Sequence, residues 1–133
     1  MGSFTHTNFS EVEDSAAKFG MGGFQEAHFA TKPLDCAQTG IALHRVKPGK
    51  QSPTAHRHRE QEELYVVLSG SGRAKLDETY VELAPLDVLR VDADVVRGFE
   101  GGPQGLEYLA FGAPIVDGDH RDQGEIIEDH WQD

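Results

Sequence analysis

Short apolar runs dominate the chain from about residue 39 onward, and Gly, Pro and Asp interrupt them. The runs are rich in Val, Leu, Tyr or Phe, which is typical of β-strands. No helical period lies between them, so the pattern predicts an all-β fold, an antiparallel sandwich or barrel. The predicted strands are Gly40–Val46, Thr54–His58, Glu63–Leu68, Gly72–Asp77, Tyr80–Leu83, Asp87–Val91, Val95–Glu100 and Leu106–Phe111.

Turn-forming residues separate these runs at 47–49, 69–72, 84–87 and 101–103. One run, Leu64–Leu68, is apolar at every position, so both of its faces need cover from water. We therefore expect an interior strand whose outer face meets another sheet or another subunit. A homodimer follows from the second alternative.

Residues 1–33 are expected to form an irregular arm ahead of the strands. Ser10 and Glu13 have the spacing of a helix capping box, and the apolar residues that follow have helical spacing up to Gly20. This pattern predicts at most one short helix in the arm.

The length of 133 residues fits a single domain. We assign residues 34–115 to the barrel core and residues 116–133 to an acidic tail, which has seven acidic residues and one arginine. A solvated tail is the favoured interpretation. Ile126 and Trp131 leave open that it folds back onto the barrel or onto a partner chain.

Composition narrows the classes of function. A net charge of −11 argues against DNA or RNA as a partner, because nucleic-acid binding needs clustered Lys and Arg. The single cysteine, Cys36, cannot form an intramolecular disulfide, which favours a cytoplasmic location. No apolar run approaches membrane-spanning length, and the N-terminus lacks the pattern of a signal peptide. We expect no membrane partner.

The most informative pattern surrounds two histidines. His56 and His58 are two positions apart on a predicted strand, so their imidazoles point to the same face. A carboxylate from the next strand, Glu63, can join them. Two imidazoles and one carboxylate form a ligand set that suits a divalent transition metal such as Fe, Mn, Zn, Ni or Cu, depending on geometry.

This stretch resembles the first motif of the cupin superfamily: a glycine, a short spacer, His-x-His, three or four residues, Glu, six residues, Gly. Only Glu63, and not Glu62, lies six residues before Gly70. The similarity extends over residues 40–114. It implies a double-stranded β-helix barrel (a cupin jelly roll) that binds a divalent metal through two histidines, a glutamate and a further histidine from a second motif.

The second motif departs from the family pattern. Alignment of the apolar positions puts Arg97 where the fourth ligand is expected. Arginine stays protonated and cannot coordinate a metal. At ~5 Å and an effective dielectric of about 20, its repulsion of a dication is on the order of 6–7 kcal/mol before relaxation.

Two interpretations of the pocket stay open. In the first, His56, His58 and Glu63 hold a metal and Arg97 binds a small anionic metabolite, with dioxygenase or isomerase chemistry as the candidates that the resemblance implies. In the second, the cupin is a metal-free binding or sensing protein in which Arg97 pairs with Glu63 or with an anionic ligand. Both predict a small-molecule ligand, and neither assigns a catalytic residue. For His44 we favour a surface position over one in the pocket.

Overall fold

The computed structural model describes residues 2–115, 124–128 and 130–131. Within these ranges, no helix is long and apolar enough to cross a membrane. The short helices are a 3-10 helix, Phe9–Glu11, and α1, Ser15–Lys18. The strands are β1 Gln25–Phe29, β2 Gly40–Val46, β3 Ala55–His58, β4 Glu62–Leu76, β5 Thr79–Leu83, β6 Val88–Val91, β7 Arg97–Ala113 and β8 Gly124–Ile127.

Two long strands, β4 and β7, organise the barrel by pairing antiparallel along most of their lengths. The first half of β4 and the second half of β7 belong to one sheet, in the order β1-β2-β7-β4-β6. The other two halves belong to a second sheet, in the order β8-β3-β7-β4-β5. Two sheets that share their long strands form the predicted double-stranded β-helix.

Glycines let the long strands bend where they pass from one sheet to the other. Gly70 and Gly105 both have positive φ, 78° and 80°. A Cβ on Gly70 would lie 2.1 Å from the carbonyl oxygen of Gly105, so only glycine fits there. The predicted turns at 69–72 and 101–103 are therefore wrong. Both strands continue through these residues, and the pairing of β4 with β7 shifts register between Gly70 and Gly72.

The core lies between the two sheets, and inward-facing residues of β4, β6 and β7 supply most of it. It contains the two tyrosines Tyr65 and Tyr108, both of which are almost fully buried. The remaining members are Val46, Val67, Ala74, Leu83, Val91, Phe99, Leu106 and Ala110. Tyr65 and Phe99 both belong to this core.

The apolar run Leu64–Leu68 forms an interior strand, as predicted, because β4 lies between β6 and β7 at this point. Its inward residues Tyr65 and Val67 are buried. On the outer face, Leu64 and Leu68 are each 40% exposed. No second sheet formed by the described residues covers that side.

The arm contains two elements besides the one short helix that the sequence predicts, the 3-10 helix and a strand. Strand β1 pairs with β2 and extends the first sheet. Its sequence, Gln-Glu-Ala-His-Phe, has few strongly β-forming residues, so its propensity is weak and its pairing with β2 decides its conformation. The predicted helix is present as the single turn α1. Asp14 caps it, and the proposed capping residue Ser10 does not.

The described part of the tail folds back onto the barrel. Strand β8 pairs with β3 over its whole length. The ring nitrogen Nε1 of Trp131 donates to the carbonyl of Ser52, and the Nζ of Lys75 donates to the carbonyl of His130. A fully solvated tail, the favoured expectation, is therefore wrong for residues 124–128 and 130–131. The remaining residues of the predicted tail lie outside the described ranges.

Candidate functional site

Strands β3 and β4 bring the two histidines and the glutamate together at one end of the barrel. His56 and His58 alternate with Arg57 on β3, so both imidazoles point inward. Their Nε2 atoms lie 3.3 Å and 3.1 Å from the same oxygen, Oε1 of Glu63. The sequence spacing therefore identifies three side chains that do converge.

The Oε1 oxygen of Glu63 accepts hydrogen bonds from more groups than the motif predicts. The hydroxyl of Tyr65 donates to it, and so does Nη1 of Arg97 at 2.8 Å. Burial raises the pKa of Glu63, but hydrogen bonds and charge interactions with the two histidines outweigh burial and hold the pKa well below its usual value. Glu63 is therefore a fixed carboxylate at neutral pH.

Tyr65 lies two residues after Glu63 on β4 and shares its inward face. Burial raises the pKa of Tyr65 well above its usual value, and the neighbouring carboxylate raises it further. The phenol therefore keeps its proton and donates a hydrogen bond to Glu63. Sequence analysis did not identify this contact, although the i, i+2 spacing of Tyr65 from Glu63 was a usable signal.

Arg97 is a fully buried side chain, with 0% exposure, that holds the site in place. It begins β7 and pairs directly with His56 on β3. Besides its bond to Glu63, its Nε donates to the carbonyl of Val95 and its Nη2 to the carbonyl of Asp92. All three guanidinium nitrogens thus have acceptors, which fixes the group beside Glu63.

The hydrogen bonds determine which ring nitrogens carry protons. Glu63 is a carboxylate and only accepts, so Nε2 of His56 and of His58 must donate to it. In the neutral ring this leaves Nδ1 with a lone pair. The Nδ1 of His58 is buried and has no hydrogen-bond partner. It is the one buried side-chain nitrogen or oxygen without a partner within the described residues. The His56 side chain is 38% exposed.

These side chains lie at the floor of a cavity of about 760 Å³, large enough for a small metabolite. Its walls come mainly from the inward faces of β1, β2 and β7, and most of them are apolar. The arm and β8 contribute to its rim. Residues of these rim and wall segments include Val12, Ala16, Phe19, Ala27, Phe29, Ile41, Ala42, Phe99, Ala110 and Ile126.

His44 lines this cavity, so the surface position that we favoured from the sequence is wrong. The ring of His44 stacks on Tyr108, its partner on β7, with centroids 5.1 Å apart. Burial lowers the pKa of His44 to about 4, so its imidazole is neutral at pH 7. The alternation of His44 with the buried Ala42 and Val46 was the signal for an inward position.

The other histidines that the structure describes, His6, His28 and His130, do not line this cavity. His28 bonds to Glu26 and to the carbonyl of Val12 on the arm. His130 packs in the C-terminal segment, where its Nε2 lies 2.8 Å from the carbonyl of Lys75. His120 lies outside the described residues.

The geometry fits a metal in one respect and opposes it in another. Ligand atoms bonded at about 2.1 Å to one ion lie about 3.0–3.4 Å apart, which matches the separations from Glu63 to His56 and His58. The same oxygen, however, also accepts a hydrogen bond from the Arg97 guanidinium at 2.8 Å. A dication bound to that oxygen would lie close to a fixed positive charge.

The sequence profile of the cupin domain matches residues 42–109. This match covers half of the chain, and the chain therefore belongs to the cupin family. No curated protein matches it.

Solved structures support the same fold. A cupin protein from Bacteroides fragilis is 19% identical, with a TM-score of 0.70 over 88% of this chain and 89% of that chain. A sugar phosphate isomerase from Silicibacter pomeroyi is 18% identical, with a TM-score of 0.68 over 93% and 92%. The nucleoside dehydratase Pac13 is 13% identical, with a TM-score of 0.72 over 93% and 91%, and a variant of this Streptomyces protein was solved with uridine.

Proposed function

We propose that this chain is a small-molecule-binding cupin whose site works without an obligatory metal. The observation that carries the proposal is the buried ion pair between Arg97 and Glu63. It neutralises the carboxylate that would otherwise attract a cation, and it places a fixed positive charge where a fourth ligand is expected.

His56 is the side chain that we assign to meet the ligand. Its Nε2 is fixed by Glu63, which leaves the lone pair of Nδ1 free to accept a hydrogen bond or a proton from a bound molecule. A carboxylate that orients an imidazole in this way is a common arrangement for proton transfer. Isomerase and dehydratase reactions, named for two similar structures, both require proton transfers, which supports this role.

A metal site at the same three residues is the second candidate. The distances from Oε1 of Glu63 to Nε2 of His56 and His58 favour it, because they match the spacing of ligands around one ion. His56, His58 and Glu63 would hold the ion, which would supply Lewis-acid or oxygen-activating chemistry.

Ligand binding in the presence of a chelator tests the proposal. We suggest titrating protein in EDTA with uridine and, separately, with glucose 6-phosphate, and following backbone amide shifts by NMR. We expect at least one probe to shift amides of the cavity walls, and His56→Gln to weaken this binding. Binding that requires added metal and disappears in EDTA would favour the second candidate.

A homodimer is also part of this proposal. The outer face of the first sheet carries exposed apolar side chains from β4, from β6 and from the turn before β6: Leu64, Leu68, Leu86 and Val88. Leu86 is 79% exposed and Val88 67% exposed, which is unusual for a cluster of large apolar residues. A second copy of the chain on this face would bury them. Sedimentation of the wild type and of Val88→Glu tests it, with a monomer expected for the variant.

A cytoplasmic location completes the proposal. The single cysteine, Cys36, supports it, because small extracellular domains commonly rely on disulfides.

A further inference from the structure

His44 and Tyr108 present the polar groups of the cavity that the site at Glu63 does not use. They are direct partners on β2 and β7, and their rings stand side by side with an interplanar angle of 16°. Phe99 stacks on the other side of Tyr108, and Phe29 meets His44 edge to face. Both faces of the Tyr108 ring are therefore covered, and His44 and Tyr108 both line the cavity.

The polar atoms on these edges have no partner in the protein. No described residue hydrogen-bonds the hydroxyl of Tyr108 or either ring nitrogen of His44. Neither side chain contains a polar atom that is both inaccessible to solvent and without a hydrogen-bond partner. Within the described ranges, only Nδ1 of His58 is such an atom. Because both residues line the cavity, these atoms open into it. Buried polar groups are normally satisfied, so an unused donor and acceptor pair indicates a ligand position.

The side chains of His44 and Tyr108 carry no charge at neutral pH. Burial holds the pKa of His44 far below neutrality and raises the pKa of Tyr108, so both groups are uncharged at pH 7. The one fully buried cation of the described residues, Arg97, already donates to Glu63 and to two backbone carbonyls. The cavity rim carries charges of both signs and includes the Lys18–Glu13 pair. Arg97 is therefore committed to Glu63, and the other two Lys or Arg side chains that line the cavity, Lys18 and Lys32, are exposed.

We propose that His44 and Tyr108 are the specificity-determining residues of this cavity, and that they select a ligand with an uncharged oxygen group, a hydroxyl or a carbonyl, on an apolar body. The inference rests on the proposed function and deepens it. It departs from the anionic ligand that the sequence suggested, because the arginine that would bind an anion is occupied by Glu63. A neutral imidazole and a phenol both donate and accept, which suits such a group.

Three probes that share a benzene ring test this selectivity. Benzyl alcohol carries a hydroxyl, toluene carries no polar group, and benzoate carries a carboxylate. Each is titrated by NMR into full-length protein in EDTA at pH 7. We expect benzyl alcohol to bind most tightly. His44→Phe and Tyr108→Phe should each weaken it by roughly 5- to 10-fold and leave toluene unchanged, since each variant removes one neutral hydrogen bond.

Tyr80→Phe is the matched control, because Tyr80 stacks on Arg73 and does not line the cavity. It should leave all three affinities unchanged. Thermal unfolding provides a second readout. Since the Tyr108 hydroxyl has no protein partner, Tyr108→Phe should melt at or above the wild-type temperature.

Several results would overturn the inference: benzoate binding most tightly, equal binding of toluene and benzyl alcohol, unchanged selectivity in both variants, or no ring binding at all. These results would contradict the selectivity assigned to His44 and Tyr108. The proposed metal-independent function would be contradicted by a different result, namely that the probes bind only after metal is added, whichever probe binds most tightly.

Discussion

The guanidinium of Arg97 donates to the Glu63 oxygen that both histidines approach, at an Nη1 to Oε1 distance of 2.8 Å. Arg97 has no exposed surface, and the Glu63 side chain is 12% exposed. The two residues thus form a buried ion pair at the centre of the site. The carboxylate that would face a metal ion in a metal-binding barrel is here paired with a guanidinium, and the proposal of a metal-independent site rests on this pairing.

Removal of either partner should leave an uncompensated buried charge. For Arg97→Met we expect unfolding in urea to show a loss of about 3–5 kcal/mol of stability. Because Glu63 would then be a buried carboxylate without its fixed cation, the double variant Arg97→Met/Glu63→Gln should recover part of that loss. Simple additivity of the two single variants would show that the pair is not coupled.

Arg97→His should convert the site into a metal site. The substitution removes the positive charge and adds a fourth ligand beside His56, His58 and Glu63. We expect Zn²⁺ or Mn²⁺ affinity to rise by about 100-fold or more, measured by competition with a chromophoric chelator.

Arg97→Gln is the control for that experiment, because it removes the charge without supplying an imidazole. It should raise metal affinity less than Arg97→His does. An unchanged affinity in Arg97→His would mean that Arg97 does not occupy the position of the missing ligand.

The C-terminal segment should stabilise the strand that carries the histidines. Strand β8 pairs with β3, and Trp131 packs on Gly98 next to the start of β7. We expect Trp131→Ala to speed hydrogen exchange of the β3 amides at least about 10-fold, or 1.4 kcal/mol of local opening free energy. Trp131→Phe, which keeps a ring in place, should have a smaller effect. Equal exchange in all three proteins would contradict this role.

His28 should make the stability of the arm depend on pH. Burial lowers its pKa, but the hydrogen bonds to Glu26 and to the Val12 carbonyl, with the charge of Asp14, outweigh burial and raise the pKa above 6.5. Protonation is therefore favoured in the folded state. The stabilisation is fully present below about pH 6.5 and is lost as the pH rises through the folded-state pKa.

The measurement is the difference in free energy of unfolding between the wild type and His28→Gln at several pH values, which cancels the titration of other groups. The wild type should have its advantage in acid and lose it in mildly alkaline solution. A difference that grows with pH would contradict the assignment.

Much of the barrel can be predicted from the sequence because strand periodicity is a local property. The pattern predicts the strands of both halves of β4 and β7 and places His56, His58 and Glu63 on inward faces. It does not predict that Gly70 bends a continuous strand, since a glycine in a turn and a glycine at a bulge look alike without the partner strand. The edge strands β1 and β8 were missed because their conformation depends on pairing with β2 and β3.

The site was only partly predictable for a similar reason. Motif spacing identifies residues that converge from neighbouring strands, but not which partner each atom takes. Whether Arg97 binds a ligand or Glu63 depends on burial and on the carbonyls of Asp92 and Val95, which are properties of the folded loop. The inward position of His44 follows from strand alternation, but its unpaired nitrogens follow only from the packing around it.

Metal content is the most direct test of the central claim, that the Arg97–Glu63 pair makes the site independent of metal. The protein should be purified without a metal-affinity step, incubated with Fe²⁺, Mn²⁺, Ni²⁺, Zn²⁺ or Cu²⁺, desalted and analysed by mass spectrometry of the elements. We predict far less than one equivalent of any metal per chain. A near-stoichiometric metal that is lost in the His56→Ala/His58→Ala variant would contradict the claim.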